Sequence, residues 1–189
     1  MTELQNNPAT EQKDPAQIDY ERGLKLLDGS NIAEAAVEFH NALMGFEEAG
    51  NEKGIANATD KLGDVCLAKE DYEGAITHFG KTYALCEKED DEFSMMSIQR
   101  KIAEARKGLK QYEQVIEIYL GLIDTYFHYN SPSGAVDILD KLSDVYVSIG
   151  DKEKAVDALK TAASIHKNFK HESYARKFME RAEALNSGQ

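Results

Sequence analysis

Tryptophan is missing from the 189-residue chain, proline occurs three times and cysteine twice. Proline this scarce leaves long helices uninterrupted, and two thiols cannot supply a disulfide framework. Basic side chains are also outnumbered, with 22 Lys and Arg against 34 Asp and Glu for a net charge of -12. An excess of that sign repels phosphate backbones and anionic headgroups alike, so neither nucleic acid nor a membrane is an expected partner. Nowhere do 18 apolar residues follow one another, and Met1 to Pro8 shows neither a basic start nor an apolar stretch. The expectation is a soluble, cytoplasmic protein. Cys66 and Cys86 fit a reducing compartment. On one antiparallel helix pair turning near Glu70 they would stand roughly 15–20 Å apart at 1.5 Å per residue, too far for a disulfide.

What the sequence does have is a repeat of 40 residues. Gly23, Gly63, Ala103 and Ser143 form one small column, and Ala35, Ala75, Val115 and Ala155 form another. Phe39, Phe79, Tyr119 and Leu159 make a bulky column, followed by Ala42, Thr82, Leu122 and Ala162. Four units result, at 16–55, 56–95, 96–135 and 136–175, without an insertion. Each reads as two helices: Ile55, Ala58, Leu62, Val65 and Cys66 make one apolar stripe, and Tyr72, Ala75, Ile76, Phe79 and Tyr83 the next. Asn31, Asp71, Ser131 before Pro132, and Asp151 stand where N-caps belong, while Gly29, Gly50 and Gly150 fall where helices should stop. Small side chains at Gly63 and Ala75 let two backbones approach, with Phe79 filling the gap beside them. Residues 1–15 are polar and aperiodic, a mobile tail by composition. Residues 171–186 carry Tyr174, Phe178, Met179 and Leu185 among charges, as a capping helix would, and 187–189 form a short tail.

The run Leu62-Gly63, Asp71-Tyr72, Ala75-Ile76 and Phe79 resembles the tetratricopeptide repeat (TPR) signature. The 40-residue length resembles the long-helix subclass of cell-polarity adaptors and kinesin light chains. In the third unit Arg106 departs from the pattern, standing where Leu26, Cys66 and Tyr146 stand in the others. The resemblance implies an all-α, right-handed TPR-like superhelix (α-solenoid) of four helix pairs plus a C-terminal capping helix. It also implies that the first helix of each pair lines a concave groove.

Catalytic chemistry finds no support. His40, His78, His128, His166 and His171 share no column, and even the nearest two, His166 and His171, would be turned about 140° apart on one helix. Neither cysteine has a second ligand at metal spacing, and no phosphate loop or nucleophile elbow occurs. The run Glu87-Lys88-Glu89-Asp90-Asp91-Glu92 lacks the alternation and central glycine of a calcium loop and reads as a solvated turn with acids at a helix N-terminus. No enzyme, metal or cofactor is expected.

Charge repeats with the scaffold: Asp60-Lys61-x-x-Asp64, Arg100-Lys101-x-x-Glu104 and Asp140-Lys141-x-x-Asp144. Asn57, Ser97 and Asp137 lie one turn earlier, and Leu67, Lys107 and Val147 one turn later. The first unit offers Tyr20, Leu24 and Leu27 instead, so a groove made of these faces would be apolar at its N-terminal end and charged beyond. The ladder is either self-satisfied pairing, worth roughly 0.3–0.5 kcal/mol per pair, or a recognition surface. The chaperone-binding clamp of some tetratricopeptide domains resembles a set of lysines, arginine and asparagines, and acids occupy several of those faces here. Tyr126, Phe127 and Tyr129 are expected to pack between repeats. Tyr20, Leu24 and Leu27, with no preceding repeat to cover them, are expected to meet a partner, a second copy or the tail. The functional expectation is a non-enzymatic adaptor that holds a protein or peptide, as a net-basic or mixed-charge amphipathic segment, in the groove. The alternatives are a homo-oligomeric scaffold, or a regulatory sensor of a signalling peptide like bacterial sensors that resemble this long-repeat subclass.

Overall fold

The computed structural model describes residues 14–187. Their regular structure is helical throughout: α1 (Pro15–Asp28), α2 (Ile32–Glu48), α3 (Glu52–Ala68), α4 (Tyr72–Lys88), α5 (Glu92–Gly108), α6 (Tyr112–His128), α7 (Pro132–Ser148), α8 (Lys152–Asn168) and α9 (Glu172–Ser187). The tail expected over 1–15 lies outside the described residues up to position 13. Pro15 itself is the first residue of α1, where its missing N–H costs nothing, and Asp14 Oδ1 accepts from the Ala16 amide at 3.2 Å. Ser187 closes α9 instead of opening a tail. No helix of the described residues is long and apolar enough to cross a membrane.

The seven helices α2 to α8 each have 17 residues, and three-residue turns join them. Each turn closes with the same six-residue hydrogen bond from an amide back to a carbonyl of the last helical turn: Asn31 to Leu26, Asn51 to Phe46, Asp71 to Cys66, and so on to His171 to His166. This is the Schellman arrangement, and it needs one left-handed residue per turn. Glycine fills that place only at Gly50 and Gly150; Ser30, Glu70, Asp90, Lys110, Asn130 and Lys170 adopt φ between 49° and 60°. Gly29 does mark the stop of α1, as its C-cap at φ -79°, while Ser30 takes the left-handed place. Capping also differs from expectation. Asp71 and Asp151 do accept first-turn amides, as do Asn51 and Asp91, but Asn31 and Ser131 hold the N-cap position without a side-chain bond.

The chain divides into two compact units, residues 1–85 and 86–189. In the first, α1 packs on α2 and α2 on α3 around Ala35, Phe39, Ala42, Phe46, Ala58, Leu62 and Val65. Aromatic rings lie on positions that have no Cβ. A methyl added at Gly23 would come within 2.7 Å of the Phe39 ring, and one at Gly63 within 2.3 Å of the Phe79 ring. Phe46 covers Gly54 in the same way, linking one pair to the next. Thr59 and Thr82 share a buried 2.9 Å hydroxyl contact, and Thr59 also donates to the Ile55 carbonyl. In the second unit, α5 to α9 pack each on the next around Val115, Leu122, Ile138, Leu142, Val145 and Ala162. Tyr126 covers Gly134 there, while α9 buries Ala182 against Val156 and Leu159.

Two stability predictions follow from these contacts. Gly63→Ala drives a methyl into the fully buried Phe79 ring and should cost a net of about 1–2 kcal/mol, since overpacking outweighs the helix-propensity gain. Gly80→Ala, whose Cβ would meet nothing within 4 Å, should instead gain up to about 1 kcal/mol, both read by urea denaturation. Ser30→Gly, Lys110→Gly and Lys170→Gly should each stabilise by about 0.5–1 kcal/mol, as left-handed strain exceeds the entropy lost to glycine.

Candidate functional site

In the first unit the predicted residues fall into an apolar part and a charged part. Tyr20, Leu24 and Leu27 are half-buried against the core cluster and do not stand open: the Tyr20 ring lies 5.7 Å from Phe39 and 6.4 Å from Phe46. They are accounted for by their own helix pair, because α2 already covers α1. Across from them on α3, Lys61 Nζ is 2.8 Å from Asp64 and 3.5 Å from Asp60. Burial pushes the Lys61 pKa down, but the Asp64 hydrogen bond and the charges of Asp64, Asp60 and Tyr20 outweigh it, so the net shift is upward. Burial raises the Tyr20 phenol in turn, against the pull of Lys61. Asn57 is exposed and Leu67 half-buried on the same helix.

In the second unit Arg100 is the organising group. Its Nη1 donates to Tyr126 Oη at 3.0 Å and its Nη2 meets Asp137 at 2.5 Å, so a guanidinium on α5 ties down the end of α6 and the start of α7. Asp137 is also 3.5 Å from Lys141. Asp140 and Asp144 are engaged by Arg181 of α9, whose two terminal nitrogens reach one carboxylate each. Lys141 thus turns back to Asp137 rather than forward to Asp144. Ser97, Glu104, Lys107 and Val147 are exposed, and Lys101 is half-buried. The Tyr119 phenol lies beneath this cluster, its pKa raised by burial and then by the Glu104 carboxylate.

Sequence reasoning missed Arg181, and it placed Tyr126 between repeats, where the ring covers Gly134, without its bond to Arg100. Arg181 was within reach, because it continues the column Lys61, Lys101 and Lys141 by one more period. The aromatic expectation is corrected for two of the three: Phe127 and Tyr129 are exposed, whereas Tyr126 in the same turn packs on α7. The histidine expectation is corrected as well. His166 and His171 are not turned apart; their rings are 5.7 Å apart, because α8 stops at Asn168 and left-handed Lys170 folds the chain back. His166 also stacks on Tyr174 and Phe178 of α9, at 5.2 and 5.6 Å. Among the described residues no three His, Cys, Asp or Glu side chains converge as metal ligands, and both cysteines are free thiols.

Helices of fixed length joined by fixed turns, packed one on the next over α1 to α3 in the first unit and α5 to α9 in the second, define a TPR-like α-solenoid repeat protein. Solved structures agree. The apo form of RapI superposes with a TM-score of 0.78 at 15% identity, covering 92% of this chain and 64% of RapI. A Podosopora anserina kinesin light chain with nearly identical TPR-like repeats gives 0.77 at 14% identity, covering 94% and 90%. A Rap protein complexed with Competence and Sporulation Factor gives 0.65 at 15%, covering 92% and 50%. The chain thus spans roughly half to two-thirds of the Rap proteins' length. The family model described as soluble NSF attachment protein, SNAP, matches residues 1–131, and the chain belongs to that family. No curated protein sequence matches it.

Burial, and then the charge of His171, holds the His166 pKa below the ordinary histidine value; burial and then Lys81 do the same for His78. A depressed folded-state pKa means that the unfolded chain takes the proton first. The stabilisation is complete above the unfolded value of about 6.5 and is lost as pH falls below it toward the folded-state values. The thermal midpoint should therefore fall between about pH 7 and 5, and His166→Phe, which keeps the stacking on Tyr174 and Phe178, should flatten part of that slope.

Proposed function

We propose that the chain is a non-enzymatic adaptor, working in the cytoplasm, that binds a protein or peptide on the faces of its first helices. The observation that carries this reading is a register. Within the second unit the same columns return on α5 and α7, and each helix leaves part of that face open to solvent: Ser97, Glu104 and Lys107 on α5, and Lys141, Asp144 and Val147 on α7; in the first unit α3 leaves Asn57 open. Between the open positions the ion pairs Lys61–Asp64 and Arg100–Asp137 hold charged groups in fixed geometry. Charges fixed in this way discriminate among partners without reorganising, and exposed pairs of both signs select a segment of matching pattern. With a net charge of -12, the favoured ligand is a net-basic or mixed-charge amphipathic segment.

The likeness in fold to a Rap protein complexed with Competence and Sporulation Factor supports this reading. So does membership of the SNAP family. Residues that hold the scaffold together, such as Asp140 and Asp144 with Arg181, are poor probes of binding, because changing them loosens α9.

Glu104→Lys with Lys107→Glu keeps the net charge and inverts the open pattern on α5. Wild type and this variant, matched for helicity, would be used to capture proteins from a cell extract at low and high salt. The adaptor reading predicts partners that wild type retains at low salt, releases at high salt and loses in the variant. Identical captured sets from both proteins would refute a role for this face.

A further inference from the structure

Among the described residues, the exposed aromatic side chains gather on one edge of the second unit. They are Phe93 at 70%, Phe127 at 47%, Tyr129 at 37%, Phe169 at 55% and Tyr174 at 56% exposure. Their places in the repeat explain the clustering. Phe93 and Tyr174 lie in the first turns of α5 and α9, whereas Phe127 and Tyr129 close α6 and Phe169 follows α8. Second helices end and first helices begin on the same edge of a stack, so positions 93, 129, 169 and 174 come to one side. An aromatic concentration of this kind is costly on a free surface and marks a contact.

The edge also has a direction of charge. Next to Phe93 stand Glu87, Glu89, Asp90, Asp91 and Glu92, all exposed. At the other end, Phe169 stands between exposed Lys167 and Lys170, and Lys177 lies 5.7 Å from the Tyr174 ring. Beside the acidic end opens a cavity of about 350 Å³ lined by Phe93, Met96, Arg100, Tyr126, Tyr129 and Ser131. Phe93 and Tyr129 touch within this lining, with ring centroids 5.4 Å apart. The Arg100 cation in its lining is balanced by Asp137 at 2.5 Å, so the pocket does not repel a lysine-flanked side chain.

A strip that is acidic at one end, aromatic in the middle and basic at the other is complementary to itself after a half-turn. We infer that this edge is the interface of a two-fold homodimer, in which Phe169 of each copy packs over the touching Phe93 and Tyr129 rings at the cavity of the other. Lys167 and Lys170 then face the partner copy's acidic run, twice over by symmetry. The contact is isologous, so it closes at two copies and does not propagate.

The test is sedimentation equilibrium of the full chain over a wide concentration range, with four variants whose changes are confined to exposed positions. Wild type should move from 21.1 kDa to twice that mass, with a dissociation constant that rises at least tenfold between about 50 and 500 mM salt. Phe93→Ser and Phe169→Ser should each weaken dimerisation tenfold or more while leaving helicity unchanged. Glu87→Lys with Glu89→Lys and Asp90→Lys turns the acidic run net positive, so both ends are basic, and Lys167→Glu with Lys170→Glu makes both ends acidic. Each of these charge variants should be monomeric alone, and a mixture of the two should form a heterodimer. A wild type that stays at 21.1 kDa at every concentration, a mass that climbs beyond two copies, or a mixture that fails to associate would overturn the inference.

Discussion

An aromatic ring resting on a backbone without a side chain sets the geometry of the helix pairs. Phe39 over Gly23 and Phe79 over Gly63 bring the two helices of a pair closer than side chains on both would allow. Phe46 over Gly54 and Tyr126 over Gly134 repeat the device between the end of one pair and the start of the next. In the fourth unit the small residue grows and the ring gives way: Ser143 faces the column that Leu159 fills, a compensating exchange of volume. The third unit makes no such exchange, since Ala103 exceeds glycine and Tyr119 exceeds phenylalanine.

Within each unit, fixed pair spacing and a fixed three-residue turn together return each sequence column to the same face. Charge can then be placed by register alone. Arg100 spans from α5 to Asp137 of α7, and Arg181 spans from α9 to Asp140 and Asp144 of α7, so two arginines perform the same stitching at different repeats. Both pairs are partly exposed, and their energetic contribution is modest beside the buried rings. Their effect is to fix which charged groups stay open for a partner and which are already satisfied.

Much of this was legible in the sequence because the columns are in register without insertions. Gly63, Ala75 and Phe79 identified the ring contact, and the period located the helix pairs. The turns were harder to read. Their left-handed residue is usually Ser, Glu, Asp, Lys or Asn, so glycine marks the left-handed place in only two of the turns. The same turn defeated the reading of His166 and His171, where helical angle was applied across a point at which the helix has ended. Tyr129 and Phe169 escaped because periodicity tells which residues share a column but not whether the next repeat covers them. Tyr174 is a further case: it occupies the column of Gly54 and Gly134, and His166 meets it by stacking where Phe46 and Tyr126 cover glycine.

The measurement that tests the role of the ring contact most directly is a double-mutant cycle that imports the fourth unit's pair into the first, with Gly23→Ser, Phe39→Leu and the double variant compared by urea denaturation. If ring and small residue form one packing unit, Gly23→Ser alone clashes and Phe39→Leu alone leaves a void, while the double variant recovers at least about 1 kcal/mol of the summed loss. Losses that add to within about 0.5 kcal/mol would contradict the account, because the two positions would then be independent and something else would set the spacing of the pair.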